Sequence, residues 1–195
     1  MSGNEVRSAI VEVATLHFSK YGFHKTTMDE IARHLHKAKG VLYYYFRSKE
    51  ELFNEVVKNE LEQVKAELLK ITRSTNDAPT IIRDYFLTRL KLLSTAVNYH
   101  ETLKADFFEK YHFVKEVRED FSRFEQEQLS RILEKGNEEG FTEINNIPST
   151  VNAVIMLLSS IELPLYLQNK YAEYEDIISE LVNMIIGSMR SSRKN

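Results

Sequence analysis

Apolar side chains recur every three to four residues along almost the whole 195-residue chain, and no two-residue alternation is long enough for a sheet strand. That period places the apolar side chains of each segment on one face of a helix. With only 3 Pro and 6 Gly to interrupt it, the pattern predicts an all-α fold. Apolar residues at 43% and charged residues at 28% fit a globular chain with a sizeable core. The absence of cysteine excludes a disulfide framework, a thiol nucleophile and thiolate metal sites. The N-terminus lacks the charged-then-apolar run of a signal peptide. The longest uncharged stretch, residues 144–161, carries three Asn and Pro148, which makes it a poor membrane span. The expectation is a cytoplasmic protein without membrane contact.

The net charge of −3 hides a division. Residues 1–53 carry 8 basic and 6 acidic side chains, whereas the remainder carries 18 and 23. Between Glu30 and Glu50 stand Arg33, Lys37, Lys39, Arg47, Lys49 and two histidines, with no acid. A local basic patch speaks to a phosphate-bearing partner, or to a solvated face.

A first helix is expected over residues 6–21, with Ile10, Ala14, His17 and Phe18 inward and Gly22 as its stop. Thr27-Met28-Asp29-Glu30 reads as a capping box that opens a short helix to about Leu35. A second short helix spans residues 39–46. Ser48-Lys49-Glu50-Glu51 is another capping box and opens a long helix. Residues 74–79 form the clearest break. Further helical patterns cover 81–97, 103–113, 114–133 (ended by Gly136 and Gly140), 151–167 and 174–189. The last two are apolar on more than one face. Such helices are buried twice, either in a monomer core or by pairing with their symmetry mates. The candidates for a dimer interface are Met156, Ser160, Leu163, Ile178, Leu181, Val182, Ile185 and Met189.

Two short helices joined by about three residues over 27–46 describe a helix-turn-helix, whose second helix enters the major groove. That helix must be short and free of acids, as residues 39–46 are. Leu42, Tyr45 and Phe46 can pack inward while Lys39, Gly40, Tyr43 and Tyr44 face out. Gly40 allows close backbone approach. Phenols donate to phosphate without a charge, and helix starts at Thr27 and Ser48 offer free N–H groups.

The run Phe18-x-x-Tyr-Gly-Phe23, then Thr26-Thr27-Met28-Asp29-Glu30-Ile31-Ala32, then Lys39-Gly40-Val41-Leu42-Tyr43-Tyr44-Tyr45-Phe46-Arg47-Ser48-Lys49-Glu50-Glu51-Leu52, resembles the N-terminal domain of the TetR family of bacterial transcriptional regulators. The resemblance covers about a quarter of the chain. It implies a three-helix DNA-binding head over residues 1–50 and a helical effector-binding and dimerisation body over 51–195. It also implies a homodimer on a palindromic operator, built through the last two long helices, and release of DNA by a small molecule. Carried over by position, Thr27, Tyr43 and Lys49 match phosphate-contacting residues, Tyr44 lies beside them, and Lys39 with Gly40 begins the recognition helix. Lys37 adds a cation within reach of phosphate.

The sequence departs from the family at Val41, where a Thr is common, and in the turn. Leu35-His36-Lys37-Ala38 stands where Ala-Gly-Val-Ser is typical. His36 thus takes a position that wants positive φ, and Ala38 lacks the usual capping hydroxyl, a loss of ~1 kcal/mol.

Glu162 lies in an apolar segment and needs a partner: a cationic ligand group, a cation of the protein, or solvent. Tyr85, Phe86, Phe107, Phe108, Tyr111, Glu162 and Tyr166 are candidates for an effector pocket, although aromatics at helical spacing also make plain core. His34-x-His36 points in two directions on a helix, and no metal or other cofactor is expected. No Gly-rich phosphate loop, His-Glu-x-x-His or Gly-x-Ser-x-Gly occurs, so an enzyme is not expected, and one built on Glu162 with His100 or His112 has no positive support. The reading is a sequence-specific DNA-binding regulator, a repressor released by an effector. The alternative is a helical ligand-binding or protein-interaction module with degraded DNA readout.

Overall fold

Helix α1, Gly3–Lys25, buries Ile10, Ala14 and Phe18 at the expected spacing. The computed structural model describes residues 3–104 and 112–190 and, among them, contains helices and no strand. The stop expected at Gly22 is present as a break rather than an end: φ is +78° and ψ 165°, and one more turn follows. That backbone turns Phe23 inward, where its ring lies 4.9 Å from Phe53. A β-carbon at this φ is disfavoured, so the glycine is needed here.

Helices α2, Met28–His34, and α3, Lys39–Tyr45, have seven residues each. Thr27 closes the capping box, accepting from the Glu30 N–H at 3.3 Å while the Glu30 carboxylate accepts from the Thr27 N–H at 2.9 Å. Ile31, Leu42 and Phe46 are buried and seat both helices. Helix α4, Lys49–Thr72, starts as expected, but its box differs. The Ser48 hydroxyl accepts from Glu51 N–H at 3.1 Å, whereas the Glu51 carboxylate takes the N–H of Arg47.

The described residues divide into two compact units. One lies within Met1–Glu62 and Ala96–Arg118, the other within Gln63–Thr95 and Glu119–Asn195. The two units part within α4, after Glu62. A capping box marks where a helix starts, not where a core ends. The first half of α4 sends Leu52, Phe53, Val56, Val57 and Leu61 into the first unit. Glu60 then anchors the short helix α6, Val97–Glu101, to that unit. Its carboxylate accepts from the backbone N–H groups of Asn98 at 3.3 Å and Tyr99 at 2.9 Å, and from the Asn98 amide at 2.7 Å. Burial outweighs these bonds and raises the Glu60 pKa.

In the second unit, α5 (Ala78–Thr95) is capped by Asp77, whose carboxylate accepts from the Thr80 N–H at 3.2 Å. After the 3-10 turn His112–Val114 comes α7, Lys115–Glu138. Gly136 does not end α7, contrary to expectation. It lies inside the helix, and Thr142 packs against it so closely that a β-carbon there would stand 2.8 Å from the Thr142 hydroxyl. The chain turns at Gly140 instead.

Helix α8, Ile147–Glu162, continues into a π-helical turn, Leu163–Leu167. The wider turn accommodates Pro164, which has no N–H to give. Ile147–Leu167 is long and apolar enough to cross a membrane by length and composition. Core helices of globular proteins pass the same test. Here the segment buries Val151, Leu158, Glu162, Leu165 and Tyr166. Helix α9, Glu175–Met189, completes the unit.

Candidate DNA-binding head and effector-binding body

The turn between α2 and α3 forms despite its unusual residues. His36 adopts φ +52°, the left-handed conformation that the missing glycine would have supplied. The Lys37 N–H donates to the Ala32 carbonyl at 3.0 Å and closes the end of α2. Ala38 caps α3 without a side-chain bond, as its methyl requires. Lys37, Lys39, Gly40, Tyr43 and Tyr44 are all exposed, and Tyr44, at 83%, is the most exposed large apolar side chain described.

Each candidate already has neighbours within the head. Lys39 lies 2.7 Å from the Asp29 carboxylate, a pairing with the preceding helix that the sequence reading missed, and its ammonium lies over Tyr43. The carboxylate raises the Lys39 pKa, so the charge is secure. Lys49 donates to the Phe23 carbonyl at 2.9 Å and sits 4.4 Å from that ring's centre. It fastens α4 to the end of α1 with one donor and has two left for phosphate. The Thr27 hydroxyl hydrogen points at Glu30, 2.8 Å away, so any phosphate contact by Thr27 must exchange that bond.

Gly40 faces open space: nothing lies within 4 Å of where its β-carbon would be. Gly40→Ala is therefore expected to stabilise α3 by up to ~1 kcal/mol while weakening operator binding. Melting temperature and DNA affinity should move in opposite senses. Unchanged affinity would remove Gly40 from the contact surface.

His17 is not the core histidine that its periodicity suggested. It is half-buried, and its Nε2 lies 3.1 Å from Nδ1 of His34, so α1 and α2 share one imidazole hydrogen bond. Burial, then His34, lowers its pKa.

In the second unit Tyr85, Phe86, Glu162 and Tyr166 are buried. Phe107, Phe108 and Tyr111 lie outside the described residues, as does the side chain of Leu163. The partner that Glu162 needs is Arg89, whose Nη2 donates to it at 2.8 Å. Arg89 also donates through Nε and Nη2 to Glu125. All three side chains are buried. Burial alone would lower the Arg89 pKa, but the two carboxylates outweigh it and hold the guanidinium well above its ordinary value. The sequence reading missed Arg89 and Glu125. The signal was available: Ile82, Phe86, Arg89 and Leu93 lie on one helical period, as do Phe121, Glu125, Leu129 and Ile132. A charge on a core period needs a buried counter-charge.

Two of the interface candidates, Ile178 and Val182, are buried within the protomer and cannot face a partner. Met156, Ser160 and Leu181 are exposed, and Ile185 and Met189 are half-buried. The outward stripe of α9 is instead Ile177, Leu181 and Met184, at 62%, 37% and 64% exposure, with Met156 and Leu157 of α8 also exposed. Sequence periodicity detected two apolar faces but could not say which one the protomer uses.

The family model for bacterial regulatory proteins of the TetR family matches residues 10–56, the segment that holds the capped turn and both short helices. Residues 10–56 carry the N-terminal domain of the TetR family. It is similar over 186 residues to the transcriptional regulator QacR of Staphylococcus aureus, at 27% identity, covering 86% of this chain and 95% of that protein. It is 39% identical over 59 residues to the HTH-type regulator YhgD of Bacillus subtilis, a match that spans 30% of this chain and about a third of that protein (31%). Its fold is also similar to that of a transcriptional regulator from Cytophaga hutchinsonii, with a TM-score of 0.75 and 26% identity, covering 93% of this chain and 97% of that one. TetR-family members are DNA-binding transcriptional regulators that bind small-molecule effectors.

Proposed function

We propose that this TetR-family chain is a homodimeric, cytoplasmic repressor that leaves a palindromic operator when an effector binds its helical body. The observation that carries the reading is the formed turn. His36 at φ +52° and the exposed set Lys37, Lys39, Gly40, Tyr43 and Tyr44 support a recognition helix able to meet a major groove. The phenols, Lys37 and Lys49 contact phosphate, while Lys39 and Gly40 approach base edges. The head covers residues 1–50 and continues structurally into α4. The apolar stripe of Ile177, Leu181 and Met184, with Met156 and Leu157, favours pairing of α8 and α9 with their symmetry mates. Tyr85, Phe86, Glu162 and Tyr166 belong to the effector-binding body.

Fluorescence anisotropy against the DNA upstream of its own gene and a scrambled duplex, at two salt concentrations, tests this. Operator binding should be tighter by a thousandfold or more, in the range ~10³–10⁷. Equal, strongly salt-dependent binding to both would favour a ligand-binding module with degraded readout. Lys39→Ala should change preference among sequences. Equal losses on operator and random DNA would show that Lys39 contacts only phosphate.

A further inference from the structure

The buried cluster of the second unit is unevenly satisfied. Both oxygens of Glu125 accept from Arg89, and Oε1 of Glu162 accepts from Arg89 as well. The Tyr166 hydroxyl donates to the Leu90 carbonyl at 3.3 Å. Two buried polar atoms are left without a partner: Nη1 of Arg89 and the hydroxyl of Tyr85. Both residues lie on the buried face of α5, one turn apart, and are 1% and 0% exposed. A guanidinium Nη1 can only donate, and a phenol donates readily. Buried donors are rarely left unmade.

We propose that Tyr85 and the Nη1 edge of Arg89 form a recognition site for a neutral hydrogen-bond acceptor, the carbonyl oxygen of an uncharged, largely apolar effector. The inference rests on the effector reading above and specifies its chemistry. Two buried carboxylates, Glu125 and Glu162, flank the one guanidinium of Arg89. An anionic head would be buried beside the Glu125 and Glu162 carboxylates and repelled by them. A cationic head would meet carboxylates that already accept from Arg89, and would turn its charge toward two donors. A carbonyl oxygen has two lone pairs, one for each donor, and brings no charge to desolvate. Along the helices that carry the cluster, the flanking buried residues are Ile82, Phe86, Phe121, Leu129 and Leu165, which suit an apolar tail.

The test uses the full chain and three amphiphiles with matched tails: 2-nonanone, nonanoate and nonyltrimethylammonium. Thermal shift reads binding, and anisotropy reads operator release. 2-Nonanone should raise the melting temperature and release operator at concentrations where the two ions do neither. Tyr85→Phe should leave the melting temperature of the free protein unchanged or higher, because it removes a hydroxyl with no partner. The same variant should weaken 2-nonanone by about three- to tenfold.

A melting temperature that falls in Tyr85→Phe would show that the hydroxyl is already bonded, and would overturn the proposal. So would preference for either ion, or equal affinity of the variant for 2-nonanone. If none of the three binds while operator binding is intact, this inference falls and the regulator reading stands. If operator binding is absent as well, both fall.

Discussion

Arg89→Met is expected to destabilise the fold by about 3–5 kcal/mol, the usual result of removing one partner from a buried ionic group. Two carboxylates, Glu125 and Glu162, would remain buried without their cation. For a chain of this length each kcal/mol moves the melting temperature by roughly 2–4 °C, so a loss of roughly 6–20 °C should be seen. A triple variant, Arg89→Met with Glu125→Leu and Glu162→Leu, separates two explanations. If the loss reflects stranded charge, the triple variant recovers most of it, because apolar groups of similar volume replace a buried ion cluster at little cost. If the triple variant is as unstable as the single one, the helices need the geometry of the hydrogen bonds themselves. A loss below about 1 kcal/mol in the single variant would place Arg89 in contact with water, contrary to its 1% exposure.

Met184→Glu is expected to separate the protomers and, with that, to lower operator affinity by about 10²–10⁴-fold. Met184 is 64% exposed and lies on one stripe with Ile177 and Leu181, so the substitution should leave the isolated protomer folded. In the proposed dimer the glutamates of the two protomers would repel, and the operator would then lose the second head held at a fixed half-site spacing. Sedimentation gives the oligomeric state, circular dichroism the fold, and anisotropy the affinity. A dimer that persists with full operator affinity would move the interface away from α9. Val182→Glu makes a useful contrast. At 1% exposure it should unfold the protomer rather than divide the dimer.

Local chemistry was legible in the sequence because it acts over a few residues. The Thr27 and Glu30 capping box and the bare cap at Ala38 follow from side chains close in sequence, and the structure has both. The positive φ at His36 was implied by the resemblance of its turn, and the structure has that as well. Where the spacing pattern misled, a distant partner had intervened. Gly136 stays helical, and its lack of a side chain makes room for Thr142. His17 carries a core period but meets His34 instead.

Period, capping and turn chemistry are written residue by residue, and they specify an all-α chain with an N-terminal helix-turn-helix. Only the tertiary structure decided which charges meet and which apolar faces remain open. Asp29 finds Lys39, and Arg89 finds Glu125 and Glu162, across 36 and 73 residues of chain. Ile178 and Val182 turn inward while Ile177, Leu181 and Met184 face out. A helical period repeats identically on every face, and it is the packing of one helix against another that chooses between them.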